Sequence, residues 1–399
     1  MAGIYLHIPF CRQACHYCNF HFSTSLKRKN DFVVALLKEM ERQQHYIGKD
    51  LVDTVYFGGG TPSLLTEEEL RMILDRLQAT FVIDPGAEIT LEANPDDVTQ
   101  PGKLPSWKRA GINRLSIGIQ SFFSADLGWM NRAHTAGQAL DSITMARQEG
   151  FANISADLIY GTPTLTDRHW EMNVRQAIDL GIPHLSCYAL TVEPRTALDK
   201  MIRQQKMAAV DPDAQARQFL LLMDWLEQAG YEHYEISNFA RPGLRSRHNS
   251  SYWQGKSYLG LGPSAHSFNG GSRQWNVANN ALYIDKLLGA EADGVFDAGG
   301  PGGGAAGSGD GAVAGGLFEK EVLTPVQQLN EYIMISLRTM EGCDLRQVSE
   351  RFGDAAAQQL KKRAQRYALE GTMTVTERLI LTKEGKLLAD GIAADLFFE

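Results

Sequence analysis

The chain has 399 residues, more than one average domain, and its 44% hydrophobic and 22% charged content is that of a globular protein, not a disordered or fibrous one. With 39 Lys and Arg against 47 Asp and Glu it carries a net charge of −8, which argues against a general nucleic-acid or anionic-membrane binder, since both need a basic surplus. Its five cysteines are Cys11, Cys15, Cys18, Cys187 and Cys343, a usage that fits a reducing compartment. No apolar run approaches the ~20 residues of a membrane helix, and the first strand-like run starts almost at Met1, leaving no room for a signal peptide. A cytoplasmic protein is expected.

From residue 4 to about 237 strand-like and helix-like segments alternate. Strands are expected at 4–8, 54–57, 88–92, 113–120, 153–160, 184–190 and 231–236. Amphipathic helices lie between most of them, for example at 67–81 and 136–149, the first opened by Thr66 and Glu69 as a capping box. Such alternation predicts βαβ units and a parallel sheet, hence an α/β fold. Six or so units suit a partly or fully closed barrel, in which the site lies at the C-terminal ends of the strands.

The motifs fall at those ends. Cys11, Cys15 and Cys18 stand at C-x3-C-x2-C directly after the first strand. Iron–sulfur clusters are held by thiolates. Three thiolates on one loop cap three corners of a four-iron cube and leave one iron open to a ligand. A zinc knuckle with His16 or His21 as fourth donor is the alternative. Gly58-Gly59-Gly60-Thr61-Pro62 follows the second strand, where glycines allow a backbone to approach a ligand closely. Glu92 ends the third strand and Gln120 the fourth; Arg132 lies in the loop beyond, and a guanidinium reads carboxylates bidentately. Asp157 sits inside an apolar strand, which is costly unless it is paired.

This string of motifs resembles the coproporphyrinogen-oxidase-like branch of the radical S-adenosylmethionine (SAM) superfamily, and the resemblance covers nearly the whole chain. It implies a [4Fe-4S] cluster on Cys11, Cys15 and Cys18. In that superfamily the open iron chelates the amino and carboxylate groups of SAM, and one electron then yields a deoxyadenosyl radical. Tyr5, Tyr17, Gly59, Gly60, Thr61, Glu92, Gln120, Arg132 and Asp157 fall at positions the family uses around SAM. The glycine loop would take the amino group, Glu92 the ribose hydroxyls and Arg132 the carboxylate. The oxygen-independent coproporphyrinogen III dehydrogenases carry a fourth cysteine two residues after the third, where this chain has Phe20, and an N-terminal extension over the site. Both departures point to the other branch, the haem chaperones (HemW). The H-N-x-x-Y-W string at His248, Tyr252 and Trp253 resembles the haem-associated motif of that branch. His248 offers an imidazole for haem iron and the two aromatics offer flat faces, although the same string also describes a structural histidine packed by aromatics.

Residues 298–316 are rich in Gly and Ala and cannot bury enough apolar area to order themselves. They read as a flexible linker with a reach of roughly 25 Å. Beyond it, helices at 325–340, 345–351 and 355–369, a two-stranded wing within 373–381 and a last helix from 383 suggest a winged-helix-like α+β domain. Lys361, Lys362, Arg363 and Arg366 make one helix basic. A solvated face is preferred to DNA reading, given the acidic chain and a family whose C-terminal domain covers the barrel mouth.

The expected organisation is therefore a partial (β/α)6-type barrel (1–237), a connecting segment (238–297), the linker (298–316) and the C-terminal domain (317–399). The expected function is to bind haem and deliver it to haem-requiring acceptors such as membrane-associated respiratory enzymes, as monomer or homodimer, without nucleic acid. Oxidative decarboxylation of coproporphyrinogen III, and radical SAM chemistry on an unknown substrate, are the rival enzyme readings.

Overall fold

The computed structural model describes residues 1–289 and 316–399. All but the last residue of the Gly-rich stretch 298–316 lie outside the described residues.

Strands β1 (Ala2–Ile8), β2 (Val52–Gly59), β3 (Ile83–Ala93), β4 (Arg114–Gln120), β5 (Asn153–Tyr160) and β6 (His184–Ala189) lie side by side in chain order and pair in parallel. The helices Lys29–Arg42, Glu67–Thr80, Lys103–Ala110, Ala136–Gln148 and Asp167–Asp179 return the chain between them. Two of these begin on full capping boxes, Thr66 with Glu69 and Thr135 with Gln138, which satisfy otherwise orphaned N–H groups. The strands alternate with period two. One set, including Ile4, Leu6, Ile8, Leu115, Ile117, Ile119, Ile154, Ala156 and Leu158, is buried in one core with the helix residues Leu36, Leu70, Ile73, Ile143 and Val174. Each buried Leu, Ile or Val in this set contributes ~1.5–3 kcal/mol. The other set points inward and is polar although buried: Thr54, Arg114, Ser116, Ser155, His184 and Ser186. A barrel whose interior is polar is built around a site, not around a second core.

The sheet continues past both ends of this run. Beyond β6 come β8 (Asn238–Ala240) and, outermost, β7 (Glu232–Glu235). Residues 231–236 were expected to extend the alternating pattern, but β7 pairs antiparallel with β8. Only Ile236 and Ser237 separate the two, too few for a parallel crossover. On the other side β9 (Tyr258–Leu261) pairs parallel with β1, followed by β10 (His266–Phe268), β11 (Ser272–Asn276) and β12 (Phe318–Val322), all antiparallel. The expected connecting segment 238–297 thus supplies four strands of the main sheet. With β7 and β12 at its two ends the 12-stranded sheet is open, a partial barrel as expected.

The C-terminal part has its own core, including Leu329, Ile333, Leu337, Val348, Leu360 and Leu379. Helices Pro325–Leu337, Leu345–Phe352 and Asp354–Leu369 pack with the small sheet of β13 (Cys343–Asp344), β14 (Met373–Val375) and β15 (Arg378–Leu381), ordered β13-β15-β14. This is the winged-helix-like arrangement. Its position differs from that implied by the family resemblance. It packs along edge strand β7 and against the helix Arg247–Trp253, which plugs the barrel floor, and none of its residues lines the cavity at the mouth. The ties are largely polar. Arg338 pairs with Glu235 at 3.0 Å, Arg245 with Glu341 at 2.7 Å, and Lys383 with Asp224. Of the basic helix, Arg363 donates to the Phe397 carbonyl at 2.6 Å and Arg366 pairs with Asp395, so both are engaged by the chain's own end. Among the described residues no helix is long and apolar enough to cross a membrane.

Candidate functional site

The cavity at the C-terminal ends of the parallel strands has a volume of about 400 Å³. Its lining includes Cys11, Cys15 and Cys18 from the loop after β1, Gly59, Gly60 and Thr61 from the end of β2, and Glu92, Gln120 and Asp157 from β3, β4 and β5. Tyr17 and Arg132 complete it, so eleven of the thirteen residues singled out in the sequence converge here.

The cysteine loop is held by backbone and amide bonds rather than by its own packing. The Cys11 N–H donates to Ser23 O at 3.0 Å and the His16 N–H to Met130 O at 3.1 Å. The Gln13 amide donates to Asn131 O at 2.9 Å, and the Asn131 amide donates back to Ala14 O at 2.8 Å. Burial is the main cause raising the Cys11 thiol above its usual pKa and that of Cys18 to about 11, and Cys15 adds to both. Three thiols free of disulfides, with Cys11 and Cys18 held toward their neutral form by burial, suit a cationic group, which holds thiolates deprotonated. Among the described residues no three His, Cys, Asp or Glu side chains converge as a single ion requires. A polynuclear cluster, with one thiolate per iron, does not need that convergence. His16 and His21, the alternative zinc donors, do not line the cavity.

The glycine run is dictated by close approach. A Cβ on Gly60 would lie 2.7 Å from the carbonyls of Ile8 and Phe10, and one on Gly59, at φ +102, 2.6 Å from the His7 ring. The N–H groups of Gly60 and Thr61 already donate to Ile8 O at 2.9 Å and Phe10 O at 2.7 Å. The loop therefore offers carbonyls and the Thr61 hydroxyl, acceptors suited to an ammonium, not to a phosphate.

Glu92 accepts from the Tyr56 hydroxyl at 2.8 Å and the Gly59 N–H at 3.2 Å. Burial nevertheless raises it to about 7, with Asp157 adding to the effect. Burial also raises Asp157 to about 6, offset in part by Ser186 and by Ser116, whose hydroxyl lies at 3.4 Å. Arg132 donates from Nη2 to Asn94 Oδ1 at 2.7 Å and Gly118 O at 3.0 Å, and from Nη1 to Cys15 Sγ at 3.3 Å; its Nε has no partner among the described residues. Gln120 is held at φ 63 where the β4–β5 register slips, a strained conformation for a residue with a side chain.

Two expected residues lie elsewhere. Tyr5 donates to or accepts from His7 Nδ1 at 3.2 Å and stacks on Tyr56 and His248; it does not line the cavity. His248 is on the barrel floor, 2% exposed, with Nδ1 at 2.9 Å from Thr54 Oγ1 and Nε2 at 2.8 Å from the Tyr252 hydroxyl. Both ring nitrogens are engaged, and burial, with Arg114, lowers its pKa to about 3. The sequence reading overlooked Tyr56 and Asn94, which hold Glu92 and Arg132. Tyr56 had a signal, since it alternates with Gly58 on the inward side of β2; Asn94 had only its place beside Glu92.

Residues 5–177 match the Radical SAM superfamily and residues 323–388 the HemN C-terminal domain. The heme chaperone HemW of Mycobacterium tuberculosis is 36% identical, with 99% of this chain and 94% of that protein covered. HemW of Bacillus subtilis is 32% identical, with 98% of each covered. The solved structure of Escherichia coli coproporphyrinogen III oxidase, HemN, described as a radical SAM enzyme, matches with a TM-score of 0.80 over 99% of this chain and 90% of that one, at 22% identity, a likeness of fold. The motifs at the strand ends and the kinship along the whole chain have one conclusion: the protein belongs to the HemW family of the radical SAM superfamily.

Proposed function

We propose that this protein binds haem and passes it to haem-requiring proteins, and that it carries a [4Fe-4S] cluster and SAM at the barrel mouth. The observation that carries the reading is the match, over nearly their full lengths, to proteins named heme chaperones. Phe20 supports it, standing 67% exposed at the cavity lip where the dehydrogenases place a fourth cysteine. Cys11, Cys15 and Cys18 are the cluster ligands in this reading, and the bound cluster supplies an open iron that holds the amino and carboxylate groups of SAM. The chain's own residues orient SAM. The carbonyls of Gly59 and Gly60 and the Thr61 hydroxyl receive the ammonium. Arg132, already fixed by Asn94 and Gly118, meets the carboxylate. Glu92, aimed by Tyr56, accepts ribose hydroxyls, with Tyr17, Gln120 and Asp157 closing the walls. Tyr5 and His248 buttress this constellation from below.

The rival reading is oxidation of coproporphyrinogen III, favoured by the fold shared with HemN. Anaerobic reconstitution separates the two. About four irons and four sulfides per chain are expected, lost in Cys15→Ser, together with stoichiometric haem uptake and no protoporphyrinogen from coproporphyrinogen III. Stoichiometric zinc would overturn the cluster assignment, and robust SAM-dependent decarboxylation would make the oxidase reading correct.

A further inference from the structure

A carboxylate taken wholly out of water is costly unless donors meet its oxygens. Asp97 is such a group, 0% exposed, on the single helical turn Pro95–Val98 that follows β3. Its oxygens draw partners from separate segments of the barrel mouth. Oδ1 accepts from Arg12 Nη1 at 2.6 Å and from the Gln100 amide at 3.1 Å, and Oδ2 accepts from the Ser63 hydroxyl at 2.6 Å. Arg12 stands between Cys11 and Cys15, and Ser63, also fully buried, comes directly after the Gly58–Pro62 run. The Asp97 N–H donates to Asn94 O at 3.0 Å, and Asn94 Oδ1 in turn holds Arg132 at 2.7 Å. One carboxylate thus joins the cysteine loop, the glycine loop and the seat of Arg132.

None of Arg12, Ser63 and Asp97 lines the main cavity, so they bear on it only through the loops they hold. Other bonds steady these loops without replacing this one. The Thr61 N–H bonded to Phe10 O fixes the chain before Cys11, not beyond it. Gln13 and Asn131 fix the cysteine loop on the side of Arg132, not on that of the glycine run. Lys103 supports the Ser63 carbonyl at 2.7 Å. Charge alone does not make the joint. The neighbouring Asp96 lies 3.7 Å from Arg12, and its Oδ1 has no partner among the described residues.

We propose that Asp97 is a positioning residue for SAM: it keeps the cysteine loop and the glycine loop in register, so that one molecule meets the cluster, the glycine-loop carbonyls and Arg132 together. This role rests on the cluster and SAM reading above and adds how separate loops are kept at a fixed spacing. Groups that converge on one ligand from different loops bind it tightly only when their mutual placement is settled beforehand. A charge-assisted bond with a buried end is suited to that task. The amide of Asp97→Asn can keep both ties, its oxygen toward Arg12 and its N–H toward the Ser63 hydroxyl, which also accepts. Asp97→Ala severs both.

Full-length protein is reconstituted anaerobically, iron is counted, SAM affinity is measured by equilibrium dialysis, and the EPR signal of the reduced cluster is recorded at saturating SAM. Asp97→Ala should keep its iron, bind SAM roughly tenfold more weakly, and show an EPR signal with SAM unlike that of wild type. Asp97→Asn should recover most of the affinity, and Asp96→Asn should bind as wild type does. Arg12→Ala and Ser63→Ala should each show part of the loss, and Arg12→Ala should add nothing in the Asp97→Ala background. If Asp97→Ala does not fold, the half-exposed Arg12 carries the test, and wild-type SAM affinity in Arg12→Ala overturns the proposal. Wild type that holds no iron or no SAM would overturn the cluster and SAM reading and this role together. With wild type binding both, three results would remove this role alone: unchanged SAM affinity in Asp97→Ala with only a lower thermal midpoint, iron lost from that variant, or losses from Arg12→Ala and Asp97→Ala that add in full.

Discussion

Arg132 joins two loops and a strand: Asn94 after β3, Cys15 beyond β1 and Gly118 in β4. Its fork is fixed before any ligand arrives, so little rotamer entropy is lost on binding. Arg132→Ala should weaken SAM binding by about 1.5–3 kcal/mol, the scale of a charge-assisted hydrogen bond, and leave the iron content intact; equilibrium dialysis against reconstituted protein reads both. Unchanged affinity would assign the carboxylate to another partner. Glu92 and Asp157 were legible in the sequence because a charge at a strand end or inside an apolar strand is anomalous on its face, whereas Arg132, in a loop, stood out through the family resemblance. Asn94 was not legible, because it acts by holding another side chain, and Tyr56, which does the same, could be placed on the inward face of β2 but not given that role. His248 was misleading for a physical reason: a histidine beside two aromatics reads alike whether it faces a ligand or, as here, plugs the floor between Thr54 and Tyr252.

At the scale of elements, six parallel strands could be read from apolar runs and capping signals. The strands β8 to β11 could not, because runs this short show too little alternation. Strand β7 was found but its direction was not, since direction depends on the two-residue turn to β8. The same strand carries Glu235, 1% exposed, which accepts from Asn238 at 2.6 Å and pairs with Arg338 of the C-terminal domain. Arg338 also lies over the Trp253 ring, at 5.2 Å, and pairs with Asp390 at 2.8 Å. Removing one partner of a buried pair leaves the other charge uncompensated. Arg338→Ala should therefore cost about 3–5 kcal/mol and free the C-terminal domain for earlier proteolysis. A thermal midpoint and digestion pattern like wild type would show that this ion pair does not anchor the domain.

For the whole molecule, burial sets the response to acid. His7, His134, His233 and His248 are kept neutral in the fold with pKa values of about 4, 3, 3 and 3. Unfolding restores each to about 6.5, so the unfolded chain binds these protons first and stability falls as pH drops through that window. Glu39, Glu92 and Asp157, raised by burial to about 7, 7 and 6, act with opposite sign: the fold retains protons that the unfolded chain sheds above about pH 4–4.5. The two sets oppose each other down to about pH 4.5, below which the histidines act alone. His184, also depressed by burial, tips the balance toward the histidines, so calorimetry of the apoprotein should show a midpoint that falls gently from about pH 6.5 to 5 and steeply below 4.5; a midpoint that holds to pH 3.5 would mean that these imidazoles are not buried neutral. The open barrel has a further consequence, for how copies of this chain behave toward each other. A sheet that does not close leaves two margins on which a stray strand can add. The β7 margin is occupied by the C-terminal domain, through the bridge between Glu235 and Thr339. Among the described residues the β12 margin is guarded only by Glu319, Lys320 and Glu321, next to Val322 at 73% exposure. Among the described residues, resistance to the addition of a stray strand at this margin therefore rests on those three charges.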